Sequence, residues 1–207
     1  MPLILPTNYT GSVEYFSWIV SSQEIIIESC EYFEKQTLRN RCYIAAANGI
    51  LPLIVPVKYS REGKKIIRDV RISYDHNWQE LHWKSIESAY RSSPYFEFYE
   101  DSLVGMYSDK FSFLFDFNET FRTILSGLLG IDNKVKFTTV WERDYPVASD
   151  MRNNFNRYDP VKAALPYPQV FESRHGFIPN LSVLDLLFNV GKEAGVYLKS
   201  PGKEFRN

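Results

Sequence analysis

The chain is short of most residues by which chemistry is recognised. Its 207 residues include two cysteines and three histidines, and none of them falls at zinc-ligand spacing. No metal site is therefore assigned, and no cofactor is identified. Cys30 and Cys42 read as small buried thiols of a reducing compartment, not as a disulfide. A Gly-rich phosphate loop, a serine nucleophile elbow and paired carboxylates at glycosidase-like positions are all missing. No apolar run reaches the roughly 18 residues that cross a bilayer. The start, Met1-Pro-Leu-Ile-Leu-Pro-Thr7, has neither the basic region nor the apolar length of a signal peptide. A cytoplasmic protein without membrane insertion is expected. The net charge of −1 lacks the basic excess of a dedicated nucleic-acid binder, so no nucleic-acid partner is expected.

Aromatic residues are what the chain has in quantity: 15 Phe, 14 Tyr and 4 Trp. They suggest a core or clefts lined with rings. The length fits a single domain over residues 1–207, large enough to bury its own core.

Leu3-Ile-Leu5 reads as a strand. Ser12 then precedes Val13, Phe16, Ile19 and Val20, the stripe of an amphipathic helix behind a serine cap. Glu24-Ile-Ile-Ile-Glu-Ser29 follows as a continuous apolar strand, which completes the unit that builds a parallel sheet. The loop over residues 6–11 leaves the first strand at its C-terminal end. Asn8 and Tyr9 are therefore placed beside the basic block that follows the second strand. That is where open α/β sheets hold ligands.

Asn48-Gly49 between two apolar runs signals a hairpin with a type I′ turn. Pro52 and Pro56 make its second strand an edge or an irregular one, so the sheet is expected to be mixed. Residues 58–71 carry six basic side chains against two acidic ones. They read as a solvent-flanked strand, and a charged face accounts for them more simply than an anion site. Helices are expected over residues 77–90, after Ser92-Ser-Pro94, and over residues 114–128 with a stop at Gly130. A strand over residues 135–141 comes next. Residues 142–180 are irregular and Pro-punctuated, the mark of a lid, a binding loop or a covering arm. Ser182 and Asp185 form a capping-box-like pair at the start of a helix apolar all round, which is expected to be buried. The predicted fold class is α/β, with a mixed, largely parallel Rossmann-like sheet, flanking helices and an irregular C-terminal arm ending in a buried helix.

Several stretches together resemble the WbqC-like protein family. They are Tyr15-Phe16, Glu34-Lys-Gln-Thr-Leu-Arg-Asn-Arg41, Leu53-Ile-Val-Pro-Val57, Asp75-His-Asn-Trp78, Ser85-Ile-Glu-Ser-Ala-Tyr-Arg91 and Phe177-Ile-Pro-Asn-Leu-Ser-Val-Leu-Asp-Leu-Leu-Phe-Asn189. The Lys-Gln-x-x-Arg-Asn-Arg block and the Pro-Asn-Leu-Ser tail are the most specific pieces. The resemblance implies a place in O-antigen or related surface-polysaccharide biosynthesis, without a defined reaction. Many members open with His-Gln-Pro-x-Tyr-x-Pro where this chain has Leu5-Pro-Thr-Asn-Tyr-Thr10, so the histidine is absent. The region after Trp141 is also shorter than the family's usual.

Lys35, Gln36, Arg39, Asn40 and Arg41, with Asn8 and Tyr9, are the candidates to bind a small anionic or nucleotide-activated substrate, because guanidinium forks accept phosphate and carboxylate bidentately. A solvated turn paired to Glu31 and Glu34 is the structural alternative. His76, His82 and Asp185 are the acid, base or orienting candidates. For His82, between Trp78 and Ile86, a satisfied core role is the simpler account. The same holds for Asp185 as a helix cap, unless it pairs with Arg39 or Arg41. His175, Asn180 and Asn189 are outside candidates. A transferase-type enzyme is the first reading; a noncatalytic binding or accessory protein is the alternative.

Overall fold

The run Leu3-Ile-Leu carries no polar residue, as a strand covered on both faces requires. In a computed structural model describing residues 1–58, 63–146, 148–160 and 165–199, it forms β1 (Leu3–Pro6), whose residues are all buried. Helix α1 (Val13–Val20) follows, capped by the Ser12 hydroxyl, which accepts from the Tyr15 amide at 3.2 Å. Strand β2 (Glu24–Glu28) then pairs parallel with β1, Leu3 opposite Ile25 and Pro6 opposite Glu28. The opening strand, helix, strand unit is thus present.

The hairpin is β3 (Arg41–Ala46) and β4 (Gly49–Ile54), paired antiparallel with Ala46 opposite Gly49. Two details differ from expectation. It stands as its own two-stranded sheet beside the parallel one. Its turn residues are Ala47 and Asn48, and positive φ is confined to Gly49 at +106°, so the turn is not the I′ type. Glycine is needed there to let the second strand leave the turn, not at its centre.

Residues 59–62 of the basic stretch lie outside the described residues. The remainder does not form the continuous strand expected. Ile67–Asp69 is one turn of tight helix, and only single rungs join Tyr32 to Ile66, Val57 to Ile72 and Arg71 to Phe113. The alternation misled because Ile67 is the buried residue and Ile66 is exposed, the reverse of a strand facing the core through Ile66 and Val70.

Three long helices follow: α2 (Trp78–Tyr90), α3 (Phe96–Ser108) and α4 (Leu114–Leu128). In α4 the helical spacing prevails over the alternation of phenylalanines, since Leu114, Phe117, Phe121 and Leu125 are all buried. Its end is closed by the Ile131 amide to the Ser126 carbonyl and the Gly130 amide to the Gly127 carbonyl, with Gly130 at φ +65°. This is the Schellman pattern. Strand β5 (Lys134–Phe137) pairs parallel with β2.

The arm supplies a strand of its own. β6 (Ser149–Asp150) pairs parallel with β1, so the sheet order is β5-β2-β1-β6. A short helix, α5 (Glu172–His175), leads to α6 (Val183–Val190), which is buried almost throughout as its apolar girth demands. Helix α7 (Ala194–Lys199) packs on α1 and α6. The α/β class, the largely parallel sheet and the buried C-terminal helix are as predicted. Of the Ser182–Asp185 capping box only the serine half forms, the Ser182 hydroxyl accepting from the Leu184 amide at 3.3 Å. The Ser182 amide donates to the Tyr43 carbonyl at 2.8 Å instead, leaving Asp185 to turn inward.

The α7 docking is tight enough to be tested. A methyl group added at Gly195 would drive into the Leu129 carbonyl oxygen at the end of α4. Overpacking of this kind costs on the order of 1–3 kcal/mol. The Gly195→Ala protein is expected to melt several degrees below the parent in a thermal denaturation, although alanine suits a helix better than glycine.

Candidate functional site

The N-terminal amides of α1 and α6 are satisfied crosswise. The Val13 amide donates to the Leu181 carbonyl at 2.9 Å, and the Val183 amide to the Gly11 carbonyl at 3.0 Å. The Glu14 amide donates to Asn180 Oδ1 at 3.1 Å, and the Thr10 and Ser182 hydroxyls are 2.8 Å apart. Segments 170 residues apart are thereby clasped. The clasp bends the backbone: Thr10, Gly11 and Asn180 all have φ between +55° and +59°. For Thr10, a β-branched residue, that conformation is strained.

Beside the clasp lies a narrow pocket of about 10 Å³, lined by Tyr9, Gly11, Ser12, Leu38, Arg41, Cys42, Tyr43, Tyr158, Asn180 and Ser182. That is room for about one water, so a larger ligand would sit at its mouth. Among the described residues no carboxylate lines it. Arg41 is half-buried, and its Nε is shielded from solvent without a hydrogen-bond partner among the described residues. The two helix N-termini add positive potential, but their first amides are already engaged within the clasp. An anion there would be held by Arg41 and the hydroxyl and amide side chains. Behind the wall, buried Glu14 receives Asn180 Nδ2 at 3.4 Å. Burial pushes the Cys42 thiol up to about 12, so it is a neutral wall and not a thiolate nucleophile.

The basic block and the opening turn do meet: the Tyr9 amide donates to the Leu38 carbonyl at 3.0 Å. Of the block's polar candidates only Arg41 lines the pocket, with the apolar Leu38 beside it. Arg39, expected as an anion ligand, is buried and committed, donating to Glu31 through Nε at 2.7 Å and Nη2 at 2.6 Å and to Asn156 through Nη1 at 2.7 Å. Asn40 is also structural, its Nδ2 donating to the Val55 carbonyl at 2.9 Å. Lys35 and Gln36 are exposed on the outside of the turn, Gln36 at φ +63°. Asn8 is buried, and neither atom of its side-chain amide has a partner among the described residues.

The two central histidines do not converge. His76 is exposed, while His82 is buried among Trp78, Tyr9 and Tyr107. Tyr9 passes from the pocket wall to this interior, where its hydroxyl is 2.9 Å from both His82 Nδ1 and the Tyr107 hydroxyl. Burial lowers the His82 pKa to about 4, so it is neutral at pH 7.

Asp185 is fully buried and meets neither arginine. Its Oδ1 accepts from the Tyr90 hydroxyl at 2.9 Å, and its Oδ2 from Tyr167 and Gln169, each at 2.7 Å. Burial raises its pKa, against the pull of those three donors. Of the outside candidates, Asn180 enters the clasp, Asn189 donates to the Asp185 carbonyl, and His175 bonds the Ala47 carbonyl.

A second polar cluster occupies the carboxyl edge of the parallel sheet. Buried Glu28 receives Thr138, Tyr145 and Arg152, and Arg152 also pairs with Asp150 at the end of β6. Thr7 donates to Glu119, which pairs with Arg122. The sequence reading missed this cluster. Its one signal was a glutamate closing an otherwise apolar strand.

The family model described as the WbqC-like protein family matches residues 7–152 and 142–197. The chain belongs to that family. It is also similar to the uncharacterized protein Rv1507c of Mycobacterium tuberculosis, 26% identical over 227 aligned positions that cover 95% of this chain and 96% of the relative. No solved structure matches it. The family's two most specific motifs now have physical roles. Pro179-Asn-Leu-Ser182 is one half of the clasp, and Lys35–Arg41 is the turn that ties Glu31, Val55 and Asn156 together before delivering Arg41 to the pocket. Among the described residues no group of three or more His, Cys, Asp or Glu is placed to hold a metal ion. Among them, too, no helix is long and apolar enough to cross a membrane.

Two arginines two positions apart are thus expected to behave oppositely. Arg39→Ala leaves Glu31 buried without its partner and costs on the order of 3–5 kcal/mol in a urea titration, whereas Arg41→Ala leaves stability within about 1 kcal/mol. His82 has a lowered folded-state pKa, so its contribution is complete above the ordinary histidine value of 6.5 and is lost as the pH falls towards 4. The shift corresponds to a ceiling of about 3 kcal/mol. Denaturation midpoints of His82→Gln are expected to fall less than the parent's between pH 6.5 and 4. Parallel curves would remove the assignment.

Proposed function

We propose that this WbqC-like protein is a transferase-type enzyme that holds the anionic part of an activated sugar, or of a similar precursor, at the mouth of the narrow pocket beside the clasp. The observation that carries the reading is Arg41: a guanidinium whose shielded Nε has no partner among the described residues, in a cleft that none of their carboxylates lines, next to two helix N-termini. A half-buried cation of that kind is stabilised by a phosphate or carboxylate that completes its hydrogen bonding. Strain stored at Thr10 and Asn180 in the same wall accords with a site where geometry is held for binding. The surface-polysaccharide setting rests on the family resemblance alone.

One observation favours a noncatalytic binding protein instead. The wall offers no acid or base that titrates near neutrality: burial drives the Cys42 thiol to about 12 and raises the Tyr9 phenol well above its ordinary value. His82 and Asp185 act behind the wall and not on it. If the protein is an enzyme, its substrates bring their own leaving group, and the protein contributes charge and position.

A thermal-shift screen of nucleotide sugars and acyl donors, followed by calorimetry on those that stabilise the protein, tests both readings. Arg41→Gln is expected to weaken the selected ligand at least tenfold, about 1.4 kcal/mol or more. Unchanged affinity rejects the pocket. Product formation with an acceptor separates the enzyme from the binding protein.

A further inference from the structure

A second concave surface lies apart from the clasp, on the basic segment. Lys58, Arg71, Ile72, Tyr74, Lys110, Phe111 and Ser112 line an open cleft of about 240 Å³. Three segments are brought side by side there by short backbone ladders. Val57 bridges Ile72, and the Lys58 amide donates to the Arg71 carbonyl at 2.8 Å. Arg71 bridges Phe113, and the Ile72 amide donates to the Ser112 carbonyl at 3.1 Å. The Tyr74 hydroxyl donates to the Phe111 carbonyl at 3.0 Å and accepts from the Phe111 amide at 2.9 Å, which fixes the third segment against the second.

The register has an electrostatic consequence. One rung beyond Val57 and Ile72, Lys58 stands directly across from Arg71, and like charges in that position repel. None of Lys58, Arg71 and Lys110 forms an ion pair among the described residues. Arg71 and Lys110 rest instead on aromatic faces, 4.8 Å from the Phe113 ring centroid and 5.6 Å from that of Tyr74. Rings hold the two cations in place without neutralising them. In a chain of net charge −1, three such cations on one cleft, with no lining carboxylate among the described residues, form a concentrated positive site.

We propose that this cleft binds a phosphoryl group, as a phosphomonoester or a diphosphate, with Arg71 as the fork and Lys58 and Lys110 as flanking charges. The cleft admits one or two phosphoryl groups and is too small to follow a polynucleotide backbone. The source is either a soluble organic phosphate or the headgroup of a lipid, since both present the same chemistry. The proposal uses none of the residues of the Arg41 pocket and stands or falls separately from it.

The probes are inorganic pyrophosphate, titrated calorimetrically into the full chain at low salt, and sedimentation with vesicles of phosphatidylglycerol in phosphatidylcholine. Both are run on the parent, on Arg41→Gln and on the double variant Arg71→Gln, Lys110→Gln, whose exposed replacements keep their apolar stems and leave the ladders intact. Pyrophosphate binding that survives Arg41→Gln and weakens at least tenfold in the double variant is the expected result. Binding confined to the vesicles, and lost in the double variant, assigns the same site to a lipid headgroup. Affinity unchanged in the double variant, or no binding in either arm, overturns the proposal. Equal binding to a DNA duplex overturns it too, since that would make the surface a general polyanion face.

Discussion

The crossed hydrogen bonds between the N-termini of α1 and α6 are the constraint on which the rest of this structure depends. Each helix is only eight residues long, too short to persist by itself, and each starts in the interior where water cannot reach its first amides. Either helix buried alone would leave those donors unpaired, at a cost of about 1–3 kcal/mol apiece. Facing each other, they exchange the carbonyls of Gly11 and Leu181 and share the hydroxyls of Thr10 and Ser182. The exchange works only because Thr10, Gly11 and Asn180 turn through left-handed conformations. It also pulls the chain's last third back onto its first twelve residues, and so creates the wall of the Arg41 pocket.

The carboxyl edge of the parallel sheet, where a ligand would be sought in an open α/β fold, is occupied by the protein itself. Glu28, Glu31 and Glu119 are each matched by an arginine, Arg152, Arg39 and Arg122 respectively. Arg152 and the Asn156 that holds Arg39 both come from the arm, so the arm is a seal over this edge. Buried ion pairs add little net stability, but they are costly to leave half-made. The consequence is specificity of closure: the arm must return to one place. The accessible pocket is displaced to the flank, where the hairpin strand β3 passes the clasp.

Tyr9 and Asp185 show how burial converts residue types that suggest catalysis into parts of the frame. Tyr9 joins the pocket wall to an interior cluster of hydroxyl and imidazole formed by Tyr107 and His82, so the position of the wall depends on α2 and α3. Asp185 draws Tyr90, Tyr167 and Gln169 together, pinning both the arm and the hairpin to α6. The inward turn of Asp185 became possible when the hairpin's Tyr43 took over the Ser182 amide.

Local pattern was enough to determine the α/β class, the opening strand, helix, strand unit, the three central helices, the Gly130 stop and the buried terminal helix, because each rests on periodicity and caps within a few residues. It was also enough to place Tyr9 against the block around Leu38, since the connection between two adjacent parallel strands leaves little choice. The fate of each polar side chain was decided only in three dimensions. Arg39 and Arg41 are chemically identical and two positions apart in the chain; one meets Glu31 and Asn156 and becomes structure, while the other meets no partner at Nε among the described residues and faces a pocket. Residues 142–180 carried no periodicity to read, because their order comes from long-range partners at Glu28, Arg39 and Asp185. Hydrophobic pattern is a property of neighbouring positions, whereas buried charges such as Glu28 and Arg39 are satisfied in part by Arg152 and Asn156, more than a hundred positions away, and only the folded chain brings them into contact.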